Sequence, residues 1–303
     1  VLRTFSNTDQ RLEDIKHDWN ASYCLKETRA KRNGVVEEES MIPQRPEEWI
    51  VLGPHIYVAT PLNQTPWEEC THHLHYDGID LTRIGNTYLP RTNYTPCDDR
   101  ERFRSALPRW RGKSWCEYYR HAHREYVSSS TERTFAGAIL PPGPAHLHTV
   151  ISLAFEDSEL LTLFNGFASS LVFDFLAKIS GVEHLNIDFV SQLPIRLHFP
   201  LRDAVIARAA RLNCITEYYQ GLWNEVFSDK WMDDGFTKSD SRLTEWSSTI
   251  SPEWDSHCPF RTPYERRQAL VELDALAALA FELSFKELVG IYRIQFPKLR
   301  HNE

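Results

Sequence analysis

The apolar run between Ser158 and Ile179 constrains the fold more than any other part of the sequence. Its large apolar side chains recur at steps of three and four residues, which is the period of a helix. These side chains are Leu160, Phe164, Phe167, Leu171, Phe175 and Ile179. The pattern predicts one buried helix that starts at a Ser158 cap and ends at Gly181 in a left-handed conformation. Asp174 falls on the apolar stripe, so it needs an arginine or a helix end as its partner.

The residues after this helix have the period of a strand. Leu185, Ile187 and Phe189 alternate with the residues between them, and Pro194 forbids further pairing inside a sheet. We therefore predict a short strand here, at a sheet edge. Three other segments have the composition of strands next to Gly- and Pro-rich turns: 49–60, 133–140 and 146–155. The basic and aromatic stretch 103–126 is instead predicted to be helix or loop.

These elements predict an α+β fold with three segments. Residues 1–44 mix charge with sparse apolar positions and are predicted to form a helical arm or connector. Residues 45–200 are predicted to form a mixed β-sheet domain with packed helices. Residues 201–303 are predicted to be α-helical, with capping boxes at Thr262 and Ser284.

Composition and motifs exclude several classes of protein. With 303 residues, of which 42% are hydrophobic, the chain can bury a large core, and no apolar run approaches the roughly 18 to 20 residues that span a bilayer. We therefore expect a soluble cytoplasmic protein or a piece of one. Its six cysteines lack C-x-x-C spacing, which argues against a disulfide framework and a four-thiolate zinc site. No G-x-S-x-G, H-E-x-x-H, P-loop or G-x-G-x-x-G motif occurs.

Two histidine groups could carry chemistry. One could hold zinc if a distant residue completed the site, although surface or hydrogen-bonded histidines are the default interpretation. Its residues are Cys70, His72, His73 and His75, with Asp77, Asp80 or Cys97 as the distant ligand. In the other group, His146 and His148 lie on one face of a predicted strand. They could form a catalytic or ligand pair, or could simply bind backbone groups inside a sheet.

The distribution of charge favours a polyanionic partner although the net charge does not. The formal net charge is -8, but residues 83–133 are locally basic and contain far more Arg than Lys. The arginine fork makes bidentate hydrogen bonds to phosphate or to a guanine edge, which lysine cannot copy. A solvated arginine-rich loop with some ion pairs is the alternative.

Five segments together resemble the C-terminal half of large bacterial N6-adenine DNA methyltransferases. The family includes type IIG restriction-modification enzymes and methylase subunits of phage-defence systems such as DISARM. The resemblance extends from about residue 45 to the end of the chain. Its segments are WIVLGPHIYVATPLNQTP, YDGIDLTRIGNTYLPRTNYTP, ERTFAGAILPPGPAHLHTV, SSLVFDFLAKISGVEHLNIDFVSQLPI and ELDALAALAFELSFKELVGIYRIQFPKL.

The resemblance implies a DNA target-recognition domain at 45–200, followed by the helical region. In this family the N-terminal half binds S-adenosylmethionine and holds the flipped adenine in an Asn-Pro-Pro-Tyr type tetrad. This chain has no N-P-P-Y, D-P-P-Y or glycine-rich cofactor loop, so no cofactor and no catalytic residue are expected within it. The expected partners are double-stranded DNA, a methyltransferase catalytic domain and other subunits of a defence system, with no membrane. Asn186 and Pro194 match structural positions at the edge of the domain.

The basic and aromatic middle of the chain would then contact DNA. A flipped base requires a grip on both backbone flanks and readout of neighbouring base edges. The predicted DNA-binding residues are Arg91, Asn93, Arg109, Arg111, Lys113, Arg120, Arg124 and Arg133. Four aromatic residues could stack on bases, although the domain core is their commoner place. They are Trp110, Trp115, Tyr118 and Tyr119.

Two other function classes stay open. The chain could be an interaction scaffold in which the C-terminal helices, with Trp231, Trp246 and Trp254, dock partner subunits of a defence complex. Salt separates this alternative from DNA binding, since phosphate contacts weaken steeply with ionic strength whereas an apolar docking surface does not. A metal-dependent hydrolase depends only on the cluster of histidines near residue 73.

Overall fold

The structure is a computed structural model that describes residues 10–72, 74–127 and 131–302. In that part of the chain the strands are β1 Trp19–Ser22, β2 Val36–Glu37, β3 Ile50–Val51, β4 Gln64–Pro66, β5 Tyr76–Gly78, β6 Thr95–Pro96, β7 Arg109–Trp110, β8 Lys113–Ser114, β9 Arg120–Arg124, β10 Gly137–Leu140, β11 Ala145–His146 and β12 Val150–Phe155. The α-helices are α1 Glu27–Arg32, α2 Arg100–Ala106, α3 Ser158–Ala168, α4 Leu171–Ile179, α5 Ile187–Ser191, α6 Arg202–Asn213, α7 Gln220–Val226, α8 Pro263–Ala280, α9 Phe285–Gln295 and α10 Pro297–Asn302.

A four-stranded antiparallel sheet in the order β1-β12-β9-β10 forms the centre of the fold. The smaller ladders are β3 with β11, which is parallel, and the antiparallel pairs β2 with β6, β4 with β5, and β7 with β8. Helices pack on the central sheet, mainly α3 and, behind it, α6. The predicted α+β fold class is confirmed.

Strand β9 corrects the prediction of helix or loop for residues 103–126. Its sequence, Arg-His-Ala-His-Arg, has little of the composition expected of a buried strand. Nevertheless its first four residues are buried, and polar partners on both faces bind the Arg120 guanidinium and one ring nitrogen each of His121 and His123. The predicted strands within 133–140 and 146–155 are confirmed as β10, β11 and β12.

The predicted long helix divides at Ser169 and Ser170 into α3 and α4. The Ser170 hydroxyl caps α4 by accepting from the Phe173 amide, and a new helix therefore begins there. Asp157, and not Ser158, caps α3, with its carboxylate 2.7 Å from the Leu160 amide. Gly181 follows the second helix at φ +68°, as predicted.

No single helix of the described residues is long and apolar enough to cross a membrane. Helices α3 and α4 meet the criteria of length and composition only as a pair, and their axes are bent by 67°. Both helices are largely buried in this fold.

The strand predicted at 185–190 is wrong, because residues Ile187–Ser191 form α5. Asn186 accepts a hydrogen bond from the Phe189 amide at 2.9 Å and caps this short helix. At the start of the segment 201–303, which is predicted to be α-helical, two separate helices form, α6 and α7. The capping boxes at Thr262 and Ser284 are confirmed at the starts of α8 and α9.

One buried apolar cluster reaches from Leu12 to Leu299, across both predicted segment boundaries. Strand β1 of the N-terminal segment pairs with β12 along its whole length. From α8, Arg266 donates hydrogen bonds to the Ala59 carbonyl at 2.7 Å and to the Thr60 hydroxyl at 2.8 Å. Residues before 44 and after 200 therefore share a hydrophobic core with the middle of the chain. The functional division of the chain into three segments stays a prediction.

A buried ion pair joins the loop before β10 to α4. Arg133 Nε lies 2.9 Å from Asp174 Oδ2, and the side chains are 4% and 0% exposed. The other Asp174 oxygen accepts from the amides of Thr134 at 2.6 Å and Phe135 at 2.7 Å. A second Arg133 nitrogen donates to the Ser169 carbonyl at 2.6 Å. The partner predicted for Asp174 is thus an arginine, and the pair is fully hydrogen-bonded.

A chain of amides links the central sheet to two helices. Asn213 of α6 accepts from the Ile139 amide and donates to Asn165 of α3, both at 2.8 Å. The Asn165 amide lies 2.9 Å from Nδ1 of His121 in β9. These contacts fix the orientation of α3 and α6 against the sheet, because each buried amide must keep its partners.

Removing either partner of the buried ion pair should destabilise the protein strongly. Arg133→Ala or Asp174→Ala leaves an uncompensated buried charge, so the free energy of unfolding should fall by about 3 to 5 kcal/mol. Urea denaturation followed by circular dichroism measures the change. Arg83→Ala is the control, because it breaks an exposed pair with Asp80 and should cost less than about 1 kcal/mol. Equal losses at the two sites would contradict the assignment.

Stability should fall as the pH drops from about 6.5 to 4. Burial lowers the pKa of His55 and His123 to about 4 and that of His146 to about 3. The unfolded chain binds more protons in this window, so each histidine should cost about 2 kcal/mol by pH 5. Burial raises the pKa of Asp274 to about 6, which opposes the trend but is outweighed. Urea midpoints at pH 7 and 5 test this, with His17→Gln as an exposed control; equal midpoints would refute it.

Candidate nucleic-acid interface

The hairpin of β7 and β8 brings three of the predicted DNA-binding residues together. Its two-residue turn consists of Arg111 at φ +48° and Gly112 at φ +82°. Turns with two left-handed residues match the twist of a tight hairpin, and glycine accepts that conformation without strain. Arg109 and Lys113 flank the turn as cross-strand neighbours of Ser114 and Trp110. The three basic side chains therefore belong to one short exposed element.

The hairpin is held against the body of the protein. Arg111 donates hydrogen bonds to the Glu156 carboxylate at 2.7 Å and to the His17 carbonyl at 2.6 Å. The Tyr118 hydroxyl donates to the Trp110 carbonyl at 2.7 Å. These contacts restrict the hairpin, which keeps its basic side chains beside helix α2.

Helix α2, the hairpin and the turn at Pro142 line a groove of about 830 Å³, which we call the arginine groove. Four arginines line it, against two glutamates, Glu47 and Glu117. The arginines are Arg45, Arg100, Arg104 and Arg109. At the floor of the groove, Gly143 lies close to Pro46. Only glycine fits there, because a Cβ at this position would lie 2.5 Å from the proline Cβ.

The groove arginines differ in how far their charge is compensated. Glu48 lies 3.0 Å from Arg45 and 3.5 Å from Arg100. Burial would raise the pKa of Glu48, but hydrogen bonds from Gln44 and Arg45 outweigh it and lower that pKa. Within the described residues, no carboxylate lies within ion-pair distance of Arg104 or Arg109. The uncompensated positive charge is thus concentrated where α2 faces the hairpin.

Our sequence analysis missed Arg45, Arg100 and Arg104 as members of this surface. A signal for two of them was present, since Asp99 is an N-cap and a spacing of four places Arg100 and Arg104 on one helical face. Arg45 comes from a distant part of the chain, and only the tertiary structure brings it to the groove.

Arg91 and Asn93 lie elsewhere. Arg91 lines a separate cavity of about 880 Å³ with Trp67 and Tyr88, and its side chain is 21% exposed. The Asn93 amide donates to the Tyr76 hydroxyl at 3.1 Å and to Cys70 Sγ at 3.2 Å. A role for either residue in DNA binding stays a prediction, and the structure does not place them with the hairpin.

Three predicted DNA-binding arginines have structural roles instead. Arg120 is fully buried and donates to the carbonyls of Tyr118, Pro141 and Pro144. Arg124 binds the carbonyls of Gly53 and Ile56. Arg133 is committed to the buried ion pair described above. Their guanidinium groups hold loops together, and Arg120 and Arg133 are buried whereas Arg124 is partly exposed. A role for these three residues in DNA binding stays a prediction.

The aromatic residues of the middle segment are mostly structural. Trp115 is buried, and its indole nitrogen donates to the Ser152 hydroxyl at 2.8 Å. Trp110 packs on Tyr118 with ring centroids 5.3 Å apart, at the base of the hairpin. Tyr119 packs near Tyr219 at 6.5 Å. Of these, only Trp110 and Tyr118 belong to the exposed hairpin surface.

The described members of the two histidine groups form no catalytic constellation. Among the described residues, which exclude His73, no group of three or more metal-ligating side chains is arranged around a common point. His75 stacks on Trp67 with centroids 4.6 Å apart. His146 is buried and lies 2.6 Å from the Ser152 hydroxyl. His148 Nδ1 instead accepts a long 3.5 Å contact from the Glu27 amide, so the two histidines do not act as a pair.

Comparisons with known proteins add no assignment. No protein-family model matches the chain, and no curated protein sequence matches it. The geometry of the arginine groove and the hairpin therefore carries the functional argument, together with the resemblance noted in the sequence.

Arg120→Ala should destabilise the protein far more than Arg104→Ala. Truncating Arg120 removes the donor of two buried carbonyls, Pro141 and Pro144, and of the part-buried Tyr118 carbonyl, so the free energy of unfolding should fall by about 3 kcal/mol or more. Arg104 is exposed, and its truncation should cost less than about 0.5 kcal/mol. Thermal unfolding of the two variants provides the measurement. A stable Arg120→Ala protein would mean that Arg120 is free for another role.

Proposed function

We propose that this chain is the DNA-binding, target-recognition part of an S-adenosylmethionine-dependent N6-adenine DNA methyltransferase of a restriction-modification or phage-defence system. The chain contains no Asn-Pro-Pro-Tyr type tetrad and no glycine-rich cofactor loop. Methyl transfer and cofactor binding are accordingly assigned to a separate catalytic domain. The observation that carries the proposal is the uncompensated positive charge between α2 and the hairpin.

The groove suits the sugar-phosphate backbone of DNA. Its arginines come from three separate segments and face a shared space of about 830 Å³. Guanidinium groups bind phosphate oxygens with two parallel hydrogen bonds, and such contacts position a protein on the duplex. The groove is too small for a whole duplex, so we assign it to one backbone flank of the target site.

The hairpin is the best candidate for reading base edges. Its tip carries Arg111 and Gly112, with Lys113 next to them, on a two-stranded ribbon. A β-ribbon of this width fits the major groove of B-DNA, where arginine recognises guanine through O6 and N7. Arg111 would exchange its exposed hydrogen bonds to Glu156 and the His17 carbonyl for contacts to DNA.

An interaction scaffold is the second candidate, on a different surface from the one expected. Trp231, Trp246 and Trp254 are at most 8% exposed, so they do not form a docking surface. Among the described C-terminal helices, the most exposed large apolar side chains are instead Phe285 at 83% and Ile294 at 74%, both of α9, and Leu279 of α8 at 58%. Exposed large apolar side chains favour a protein partner over DNA at this end of the molecule.

Duplex binding should depend on Arg104 and Arg109 and on salt. Each charge-assisted phosphate contact contributes about 1.5 to 3 kcal/mol, so each Ala substitution should weaken binding about tenfold or more. The slope of log K against log salt should also fall by about 1 for each lost contact. Fluorescence anisotropy with a labelled duplex from a selected pool, across a salt series, measures both quantities.

Arg293→Ala is the matched control, because it removes one exposed arginine of α9, outside the groove. It should leave both the affinity and the salt slope unchanged. If the groove variants behave like this control, the groove does not bind DNA. If binding of the unaltered chain is independent of salt, the scaffold alternative is favoured.

A further inference from the structure

Two cysteine thiols meet beneath the arginine groove. Cys24 follows β1, and Cys116 lies in the 3-10 turn Trp115–Glu117 after β8. The Cys24 side chain packs against the buried cluster that contains Cys116, 92 residues later in the sequence, and the two thiols shift each other's pKa in opposite directions. Cys116 lines the arginine groove, so the pair lies next to the groove surface.

The surroundings of Cys116 favour its thiolate form. Arg120 Nη1 lies 3.8 Å from Cys116 Sγ, and this arginine faces no carboxylate within ion-pair distance among the described residues. The hydrogen bond from Cys24 lowers the pKa of Cys116 to about 7, and Arg120 acts in the same direction against burial. Glu117, of the same turn, is the opposing charge. The thiolate is the reactive form of cysteine, so Cys116 is the nucleophile of the pair.

Cys24 is held in an unusual backbone conformation. Its φ is +54°, in the left-handed region that residues with a Cβ seldom occupy. The Cys24 amide donates to the Ser22 hydroxyl at 3.0 Å, which stabilises this conformation. Non-glycine residues in this region cluster at functional sites. Here the conformation occurs at a residue that packs against the cluster containing Cys116.

The other cysteines lack this arrangement. Burial raises the pKa of Cys214 and Cys258. Cys97 Sγ lies 3.3 Å from the Asp99 carbonyl. Cys70 accepts a hydrogen bond from Asn93, away from the arginine groove. These four thiols therefore serve as internal controls for reactivity.

We propose that Cys24 and Cys116 are a dithiol site that is oxidised by a small anionic disulfide bound in the arginine groove. Carboxylates of the disulfide bind the groove arginines, which places the disulfide bond near Cys116. This site is separate from DNA recognition, since it requires no duplex. It uses the same positive charge for a different ligand.

The reaction balances as two thiol-disulfide exchanges. The Cys116 thiolate attacks one sulfur of the disulfide, which breaks the sulfur-sulfur bond and expels one thiolate. Cys24 then loses its proton and attacks the Cys116 sulfur of the mixed disulfide. A Cys24–Cys116 bond forms and the second thiolate leaves. The two protein thiols are oxidised by two electrons, and the small disulfide is reduced to two thiols.

Oxidised glutathione is the probe, and the cationic disulfide cystamine is its matched control. The full chain is incubated with each, and non-reducing peptide mapping by mass spectrometry identifies the products. We expect the Cys24–Cys116 peptide to form about tenfold faster with oxidised glutathione at low ionic strength. The Arg104→Ala and Arg109→Ala double variant should lose this preference, because the rate with oxidised glutathione falls whereas the rate with cystamine does not fall.

Cysteine variants identify the order of attack. Cys24→Ser should trap glutathione on Cys116, whereas Cys116→Ser should leave Cys24 unmodified. Alkylation of the unaltered chain by iodoacetamide, with an inflection near pH 7 at Cys116 alone, tests the same assignment without a substitution. The proposal is overturned if no Cys24–Cys116 peptide forms while Cys70 is modified, or if cystamine reacts as fast as oxidised glutathione.

Discussion

The buried pair of Arg133 and Asp174 is the interaction on which the arrangement of sheet and helices depends. Its carboxylate satisfies two loop amides as well as the guanidinium, while the arginine also binds the Ser169 carbonyl at the break between α3 and α4. A buried ion pair contributes little net stability compared with apolar packing. Its effect is on geometry, because a different position of either helix would leave several charged or polar groups unpaired.

In strand β9, buried polar side chains likewise fix the positions of their partners, on both faces of the sheet. Arg120 and Arg124 point to one face and bind carbonyls of a loop and of the 3-10 turn Gly53–His55. His121 and His123 point to the other face, where they contact Asn165 of α3 and the Leu185 carbonyl. A polar central strand thus holds irregular loops on one side and helices on the other. The hairpin and α2 obtain their fixed positions from the loop side.

Much of the fold could be predicted from local pattern, and the failures have physical causes. The capping boxes at Thr262 and Ser284 were found because a cap is a local hydrogen bond between residues three apart. The strand prediction for 185–190 is wrong because a short alternating pattern does not exclude one turn of helix, and the Asn186 cap starts a helix there. Strand β9 was missed because its burial depends on partners more than fifteen residues away.

The sequence predicts which type of residue forms the candidate site, namely arginine, but not which arginines belong to it. An excess of arginine identified the middle of the chain, yet the sequence could not distinguish arginines that face solvent from those that bind carbonyls inside the fold. Arg109 and Arg111 belong to the first group, and Arg120 to the second. That distinction depends on which loops pass beside β9, and this is a property of the tertiary structure.

The buried Arg120 has one more effect, which follows from the identity of its partners. All of its oxygen acceptors are carbonyls, so its full positive charge persists beneath the floor of the groove. A charge surrounded by protein is screened far less than one in water, and its field extends to the surface above. Arg120 therefore acts on any anion in the groove without touching it, as a fixed electrostatic source that mobile surface side chains cannot replace.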